Sequence, residues 1–295
     1  MTISSDARHE LVARVAAALG AEDAARVMAR FSRLPAIVED LGSCVLALSG
    51  GIDSSFLLAV AAELLGPRCL AVTADSAAVP AWDRTDARAA GTAAADHGSG
   101  WRVVATRELD DPRYAQNPRS RCYFCKAEVY GALAGIAHNE GYAWVVDGSN
   151  ATDAAATDRP GMAAGAALRV RSPLAEAGIT KADVRVLARA LGLPDWDRPS
   201  SACLSSRIPF GARITPERLR RVETAELAIR ARGFRQVRVR DLGERARVEV
   251  DTTDLERLVG DGDAVGSLLR AAGFAGWTAS AYAGTGAGDR VDPAR

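Results

Sequence analysis

The residues best suited to bind an anion lie in LSGGIDSS, residues 48–55, directly after a short apolar run. The adjacent glycines permit a tight turn that aims backbone N–H groups at one point, and the helix that follows adds the positive end of its dipole. Asp53 is unusual in an anion site, but its carboxylate can help hold Mg²⁺ against phosphates. The stretch therefore predicts a pyrophosphate site; the alternative is a plain strand-to-helix turn with Asp53 as N-cap. The candidate nucleotide-binding residues here are Ser49, Gly50, Gly51, Asp53 and Ser54.

Thiols form the second group of candidates. RCYFCK, residues 121–126, sets Cys122 and Cys125 three residues apart, as in a redox pair or half of a metal site. Zinc would need four ligands, and the three histidines of the chain have no motif spacing to these thiols. Cys203 stands among small hydroxyl residues in a loop that also holds Arg207, which would favour its thiolate form. A buried structural cysteine is the alternative for Cys203.

Polar residues on or after two further predicted strands complete the set. Ser149, Asn150 and Asp153 follow the strand of YAWVVDGSN, at the end where open α/β sheets place ligands. An ordinary Asn-containing turn is the alternative there. Arg238 and Arg240 are two apart on a predicted strand, so both point to one face and can hold a phosphate or carboxylate. A solvated strand face is the alternative for this pair.

Four apolar runs alternate with helical patterns and would position these residues. The runs are SCVLALSGG, RCLAVTAD, WRVVATRE and YAWVVDGSN, and CKAEVYGALAGIAHNEG is a helix expected to begin just after the cysteine pair. The alternation predicts an α/β fold in which helices cover both faces of a parallel sheet. Cys44 and Cys69 lie on the first two strands and are interpreted as core packing.

The pattern changes after about residue 200. TPERLRRVETAELAIRARG predicts a helix, RQVRVRDLG and ERARVEVD predict a hairpin, and two short helices and a last strand follow. These elements form a small α+β unit. The predicted domains are an N-terminal helical segment (1–42), an ATP-binding α/β domain (43–200), a small α+β domain (201–280) and a disordered tail (281–295).

Composition excludes several classes of function. The chain has 295 residues, and its 37 basic residues balance 37 acidic ones, which argues against a broad basic surface for nucleic acid. No apolar signal segment is visible, and no stretch approaches the ~18 residues of a membrane span. Five cysteines, an odd number, do not indicate a disulfide framework. The cytoplasm is therefore the expected compartment, with neither nucleic acid nor membrane as partner.

The phosphate loop, SGGIDS after an apolar strand, resembles the PP-loop ATP pyrophosphatase superfamily, whose members cleave ATP between the α- and β-phosphates. RCYFCK, DGSNATD…DRPG, SPLAEAGITKADVR, LGLPDWDRPSSACLSSRIPFGARIT and VRVRD together resemble the LarE-type ATP-dependent sulfur transferases. These enzymes act in biosynthesis of the nickel-pincer nucleotide cofactor, where they convert the carboxylates of a pyridinium dicarboxylic acid mononucleotide into thiocarboxylates. One departure is Thr152, where the family often has an aspartate before Asp153.

The resemblance implies that ATP and Mg²⁺ bind at the phosphate loop, bordered by Ser149, Asn150 and Asp153, and that the mononucleotide is the small-molecule partner. Cys203 matches the sulfur-bearing cysteine of the family. In members with this cysteine alone, its thiolate attacks the adenylated carboxylate, and elimination then leaves sulfur on the substrate and dehydroalanine on the protein. The positions that the resemblance assigns to the substrate site are Ser206, Arg207, Glu226, Arg238, Arg240 and Glu249.

Cys122 and Cys125 resemble the pair that marks cluster-dependent members of the family. With Cys203 they would ligate a 4Fe–4S cluster near the phosphate loop, leaving one iron free to carry a sulfide that is donated and replenished. We favour this hypothesis over a sacrificial Cys203 with an accessory cysteine pair, and both stay open. The replenishing sulfur would come from a partner protein, free sulfide or a cysteine-derived source. By analogy with the family, the chain is expected to form a homo-oligomer, and a hexamer is the expected assembly.

Three other functions are alternatives to sulfur transfer to a mononucleotide. A tRNA thiolase of the same superfamily would need a basic RNA-binding surface or an added RNA-binding module. An amide-forming synthetase that takes ammonia has no use for Cys203. A non-enzymatic ATP-binding scaffold would release no AMP in the presence of substrate.

Overall fold

The computed structural model describes residues 5–155 and 160–283. The chain divides into two compact units, of which the first comprises residues 1–76, 82–107 and 122–200 and the second comprises 77–81, 108–121 and 201–295. Residues 77–81 and 108–121 of the predicted ATP-binding domain, 43–200, thus belong to the second unit. Most of the predicted tail, residues 284–295, and the first two residues of DRPG (158–161) lie outside the described part. No described helix is long and apolar enough to cross a bilayer.

Fourteen α-helices and seven strands occur in the described residues. In chain order the helices are α1 (Ser5–Ala18), α2 (Ala21–Phe31), α3 (Leu34–Asp40), α4 (Ile52–Leu65), α5 (Ala81–Ala94), α6 (Pro112–Ala115), α7 (Arg121–Glu140), α8 (Ala151–Ala154), α9 (Pro160–Ala167), α10 (Pro173–Glu176), α11 (Lys181–Ala190), α12 (Pro216–Arg230), α13 (Leu255–Gly260) and α14 (Gly262–Ala271). The strands are β1 (Cys44–Ala47), β2 (Cys69–Asp75), β3 (Gly100–Ala105), β4 (Trp144–Val146), β5 (Val237–Leu242), β6 (Arg245–Val250) and β7 (Gly276–Ala281).

The sheet of the first unit is parallel and has the strand order β3-β2-β1-β4. Its inner strands are apolar over most of their length, because both faces are covered. Leu46 packs in one cluster with α1 to α4 and α11, whereas Val45 packs in another with Leu133 of α7. The predicted α/β fold is therefore confirmed. Cys44 and Cys69, paired in register on β1 and β2, are both buried, as the packing interpretation expected.

The strand order reverses beside β1, and this reversal fixes where a ligand can bind. The chain runs outward from β1 through β2 to β3 and then returns to place β4 on the other side of β1. The loops that leave β1 and β4 therefore diverge at the same edge of the sheet, which is the usual ligand position in open α/β folds. These are the two loops that hold the predicted nucleotide-binding residues.

Helix α7 begins earlier than the sequence indicated. The Arg121 N–H donates to the Pro118 carbonyl at 3.0 Å, so winding has already started before the cysteines. The prediction of a helix beginning just after the pair was wrong, since Cys122 and Cys125 lie inside its first turns. Residues three apart on a helix are neighbours on one face, so the two thiols share a face of α7.

The second unit is built on a small sheet in which β5 and β6 form the predicted antiparallel hairpin. The last strand, β7, pairs parallel to β6, a feature that periodicity could not predict. Val237 and Val239 pack in the core of this unit with α12 and α14. Because neighbours on a strand alternate in direction, Arg238 and Arg240 lie on the opposite face, yet they too are buried.

Candidate active site

The loop after β1 has the conformation that the glycines predicted. Gly50 has a φ of +78°, and a Cβ there would lie 2.0 Å from the Asp83 carbonyl oxygen, so no larger residue fits. The hydroxyls of Ser49 and Ser54 lie 3.1 Å apart, and Ser54 also donates to the Gly51 carbonyl at 3.0 Å. The turn is thus held at the N-terminus of the 14-residue helix α4, where backbone N–H groups and the helix dipole favour an anion.

The Asp53 carboxylate of this loop is paired with a lysine that the sequence analysis did not assign to the site. Lys181 Nζ lies 2.7 Å from Asp53 Oδ2, and Asn150 Nδ2 donates to Asp53 Oδ1 at 3.4 Å. Lys181 is the first residue of α11, whose start is fixed by a capping box between Thr180 and Asp183. Burial would raise the pKa of Asp183, but hydrogen bonds from Thr180 and Arg30 outweigh it and hold that pKa below its usual value.

The loop after β4 lies directly against the phosphate loop. A Cβ on Gly148 would come within 2.7 Å of the Ser54 backbone nitrogen, which requires glycine at this close approach. Asn150 caps α8 through a reciprocal capping box with Asp153, so Asp153 positions Asn150. Thr152, the departure from the family pattern, accepts a hydrogen bond from the Lys181 N–H at 3.2 Å and so ties the start of α11 to this loop.

A second network reaches this loop from the helix of the cysteine pair. Lys126 Nζ lies 4.9 Å from the centre of the Tyr130 ring, and the Tyr130 hydroxyl donates to Asp147. Asp147 in turn accepts from the hydroxyls of Ser149 (2.8 Å) and Ser172 (2.7 Å). Burial opposes the charge of Lys126, but Tyr130 and Asp147 outweigh it and hold the pKa of Lys126 well above its usual value. Sequence reasoning missed both lysines, although the chain has no others.

In the second unit, Arg207 organises the loop of Cys203. Its Nε and Nη2 donate to Glu226 at 2.8 and 2.9 Å, while Nη1 donates to the carbonyls of Ala202 (2.5 Å) and Cys203 (3.1 Å) and to Ser206 Oγ (3.1 Å). Arg207 and Glu226 are fully buried. The guanidinium therefore holds the backbone around the cysteine in place, and Cys203 itself is half-exposed.

The other predicted arginines lie beside this loop. Arg240 donates to Glu249 at 2.9 Å and to the Ser206 carbonyl at 2.7 Å, and Arg247 donates to the other oxygen of Glu249 at 3.1 Å. Arg238 lies directly opposite Glu249 in the hairpin register, and its guanidinium stacks 4.4 Å from the Tyr282 ring centre.

The cluster carries excess positive charge. Burial, and then the charge of Arg207, hold the pKa of Arg238 below its ordinary value, and Arg240 adds to the effect. Among the described residues the cluster contains four arginines, Arg207, Arg238, Arg240 and Arg247, but two glutamates, Glu226 and Glu249. The arrangement suits an anion, because a phosphate or carboxylate would balance the surplus. The structure thus brings together every residue of the predicted substrate site, and their roles stay predictions.

The buried Arg207–Glu226 pair gives a stability prediction. Glu226→Gln should lower the free energy of unfolding in urea by about 3–5 kcal/mol, because it leaves the buried Arg207 charge uncompensated. Glu217→Gln on the same helix is the matched control: its partner Arg220 is 3.5 Å away, both side chains are exposed, and the substitution should change stability little. Equal destabilisation by the two substitutions would contradict the role given to Glu226.

All five cysteines are present as thiols; Cys122 is exposed and Cys125 is half-exposed. In the part of the chain that the structure describes, no group of three or more His, Cys, Asp or Glu side chains is gathered as a metal ion would require. The cysteine pair belongs to the first unit and Cys203 to the second. The convergence of the three thiols on one cluster therefore stays a prediction.

Comparison with known proteins identifies the family. No family model matches the chain. It is 34% identical over 243 residues, 82% of this chain and 86% of the relative, to the pyridinium-3,5-bisthiocarboxylic acid mononucleotide synthase of Lactiplantibacillus plantarum. An uncharacterised protein of Synechocystis is 41% identical over 222 residues, 75% of this chain and 81% of its own. An uncharacterised protein of Methanocaldococcus jannaschii is 27% identical over 230 residues, 78% and 86% of the two chains.

A parallel sheet with a phosphate loop at its switch point defines the class as a PP-loop α/β protein. The chain belongs to the LarE-type family of sulfur transferases, since the synthase exceeds 30% identity over most of both proteins. The predicted family, fold class and enzyme class are confirmed.

Proposed function

We propose that the protein uses ATP to transfer sulfur to the carboxylates of a pyridinium dicarboxylic acid mononucleotide, as a step in nickel-pincer cofactor biosynthesis. Among the structural features, the half-exposed Cys203 beside a buried arginine cluster with surplus positive charge carries the proposal. A thiol nucleophile next to an anion site is what sulfur transfer to an anionic substrate requires, whereas an amide-forming synthetase would have no use for the thiol. The product named for the L. plantarum relative supports the same substrate class.

ATP would bind with its phosphates at the loop of Ser49, Gly50, Gly51 and Ser54, bordered by Ser149 and Asn150. The positive φ of Gly50 and the N-terminus of α4 suit a pyrophosphate. The carboxylate of Asp53 fits Mg²⁺, which prefers oxygen ligands and, when bound, would neutralise phosphate charge. Lys181, now paired with Asp53, would supply a second positive charge beside the phosphates.

ATP would first activate a carboxylate of the substrate. A substrate carboxylate oxygen attacks the α-phosphorus of ATP, the bond to the bridging oxygen breaks, and pyrophosphate leaves. In the sacrificial alternative, the Cys203 thiolate then attacks the adenylated carbonyl carbon and AMP leaves, which gives a thioester. A base next removes the Cα proton of residue 203 and the Cβ–S bond breaks, leaving a thiocarboxylate and dehydroalanine. Arg207 would keep the Cys203 backbone in one place during these steps.

We favour a cluster-dependent form of the reaction, and the sacrificial use of Cys203 is the alternative. Cys122, Cys125 and Cys203 would hold a 4Fe–4S cluster, and when bound it would supply a sulfide that can be replaced after each turnover. The shared face of the first two thiols on α7 supports this variant. The sulfur would be restored by a partner protein, free sulfide or a cysteine-derived source. By analogy with the family, the enzyme would work as a homo-oligomer, and we propose a hexamer.

The direct test is anaerobic incubation of the protein with ATP, Mg²⁺ and the dicarboxylate mononucleotide, followed by mass spectrometry. We expect thiocarboxylate product, AMP and pyrophosphate. ATP consumption that yields no AMP when substrate is present would sink the proposal in favour of an ATP-binding scaffold. Sulfur transfer to tRNA in a parallel reaction would favour a tRNA thiolase instead.

Arg238 gives a sharper test of the anion site. Arg238→Ala should weaken mononucleotide binding by roughly 10- to 100-fold, since a charge-assisted contact contributes about 1.5–3 kcal/mol. ATP affinity should not change. Arg232→Ala, in the same unit but on an exposed pair with Asp261, is the control and should leave both affinities unaltered. If calorimetry finds the same mononucleotide affinity in Arg238→Ala as in the unsubstituted protein, Arg238 does not bind the substrate and its role is structural.

A further inference from the structure

An arginine outside the predicted site lies against the back of the phosphate loop. Arg198, in the DWDRPSS segment, donates from Nη2 to the Gly50 carbonyl at 2.9 Å. The same nitrogen donates to Asp83 Oδ1 at 3.1 Å, and the other terminal nitrogen forms an ion pair with Asp86. The carboxylates thus fix the guanidinium from the first turns of α5, and the guanidinium holds the loop.

Two further observations show that this contact is constrained. The turn that presents Arg198 is itself fixed, since Asp195 has a φ of +53° and its carbonyl accepts the Arg198 N–H at 2.9 Å. Gly50, at φ +78°, packs directly on the Asp83 backbone. A positive-φ turn has few ways to shift while its carbonyl is held and its Cα rests on a neighbouring helix.

The held carbonyl controls the groups that face an anion. A peptide unit is planar and trans, so its C=O and N–H point in opposite directions. Fixing the Gly50 oxygen from behind therefore aims the Gly51 N–H away from Arg198 and into the loop, where it donates to Ser49 Oγ at 3.3 Å. We propose that Arg198 is a positioning residue for ATP, acting through the Gly50 peptide to keep the phosphate-binding amides aligned. This inference rests on the proposed binding of ATP at the loop.

The size of the effect follows from what lies behind the loop. Gly50 and Arg198 both line a cavity of about 540 Å³ between α4 and α5, whose walls include Ala89 and Ala90. Without the guanidinium, water can enter and hydrogen-bond the Gly50 carbonyl, so the loop would loosen rather than collapse. We therefore expect the dissociation constant for ATP to rise roughly tenfold in Arg198→Met.

The experiment compares Arg198→Met, Arg198→Lys and Arg189→Met with the unsubstituted protein. Lysine keeps the charge but lacks the planar fork that joins the Gly50 carbonyl to both carboxylates, so it should restore ATP affinity only in part. Arg189 is the control, because it packs against Trp196 of the same loop but pairs with Asp23 at 2.9 Å. ATP and mononucleotide affinities are measured by calorimetry, and melting temperature is recorded for each protein.

Support requires weaker ATP binding in Arg198→Met, an intermediate value in Arg198→Lys, and unchanged mononucleotide affinity in both. A merely structural role would instead lower the melting temperature and leave ATP affinity within twofold of the control. Unchanged ATP affinity in Arg198→Met would overturn the inference alone. Failure of the unsubstituted protein to bind ATP with Mg²⁺ would overturn the proposed function, and the inference with it.

Discussion

Replacement of Asp53 by alanine is expected to abolish substrate-dependent formation of AMP and pyrophosphate, with a loss of roughly 100-fold or more. The reason is the position of this carboxylate at the start of α4, where it would hold Mg²⁺ against the phosphates. Its removal also leaves Lys181 without the anion that lies 2.7 Å away. The measurement is AMP release in the presence of ATP, Mg²⁺ and mononucleotide.

Two companion variants make this result interpretable. Asp96→Ala removes an exposed acid from the same unit and should leave AMP formation unchanged. Lys181→Met should raise the KM for ATP, because a positive charge beside the phosphates is lost, but it should spare the Asp53 carboxylate. If Asp53→Ala still forms AMP at the normal rate, the loop does not hold the reacting nucleotide in the way proposed.

Cys203→Ala should eliminate sulfur transfer completely while ATP binding persists. The thiol is the nucleophile in the sacrificial scheme and a cluster ligand in the cluster-dependent scheme, and alanine has no atom that can serve in either role. ATP should still bind, because its proposed contacts lie on the loops after β1 and β4, in the first unit. The readouts are thiocarboxylate by mass spectrometry and ATP affinity by calorimetry.

Alanine variants of Cys122 and Cys125 separate the two sulfur sources. If the enzyme depends on a cluster, each single variant, purified without oxygen, should lack iron and visible absorbance. It should also fail to turn over repeatedly. In a sacrificial enzyme both variants should still transfer sulfur, and unsubstituted protein should gain dehydroalanine at residue 203. Sulfur transfer by Cys203→Ala itself would refute both schemes.

Local signals predicted the frame of the site. Apolar strands, glycine turns and helix caps depend on neighbours in sequence, so the phosphate loop and the Arg238–Arg240 strand could be found from residue patterns. Long-range partners could not. Lys181 lies 128 positions after Asp53 and reaches it because the strand order places the loop after β4 beside β1, and no pattern specifies that order. The same holds for Glu226, which resemblance assigned to the substrate site but which the fold pairs with Arg207.

The early start of α7 shows the limit of local signals in another way. Pro118 and Asn117, which has a positive φ, are typical loop residues, and they do lie in a loop. The Asn117 side-chain NH₂ also donates to three carbonyls of the segment 208–212. Its side-chain oxygen accepts from Arg121 Nη1 at 2.9 Å. These long-range hydrogen bonds hold the turn that leads into α7. The residue spacing around the cysteines does not predict them.

The scarcity of lysine offers an analytical advantage. Since Lys126 and Lys181 are the only side-chain amines, acylation by an N-hydroxysuccinimide ester can modify no other lysine, and each product is separable by peptide mass. Lys181 retains 34% of its side-chain exposure beside Asp53, so its labelling rate reports directly on the phosphate loop. Lys126 should label slowly, because Tyr130 and Asp147 hold its pKa above the usual value and acylation needs the neutral amine. If added nucleotide selectively slows the labelling of Lys181, the labelling rate measures how much of the phosphate loop is occupied. This measurement does not depend on catalysis.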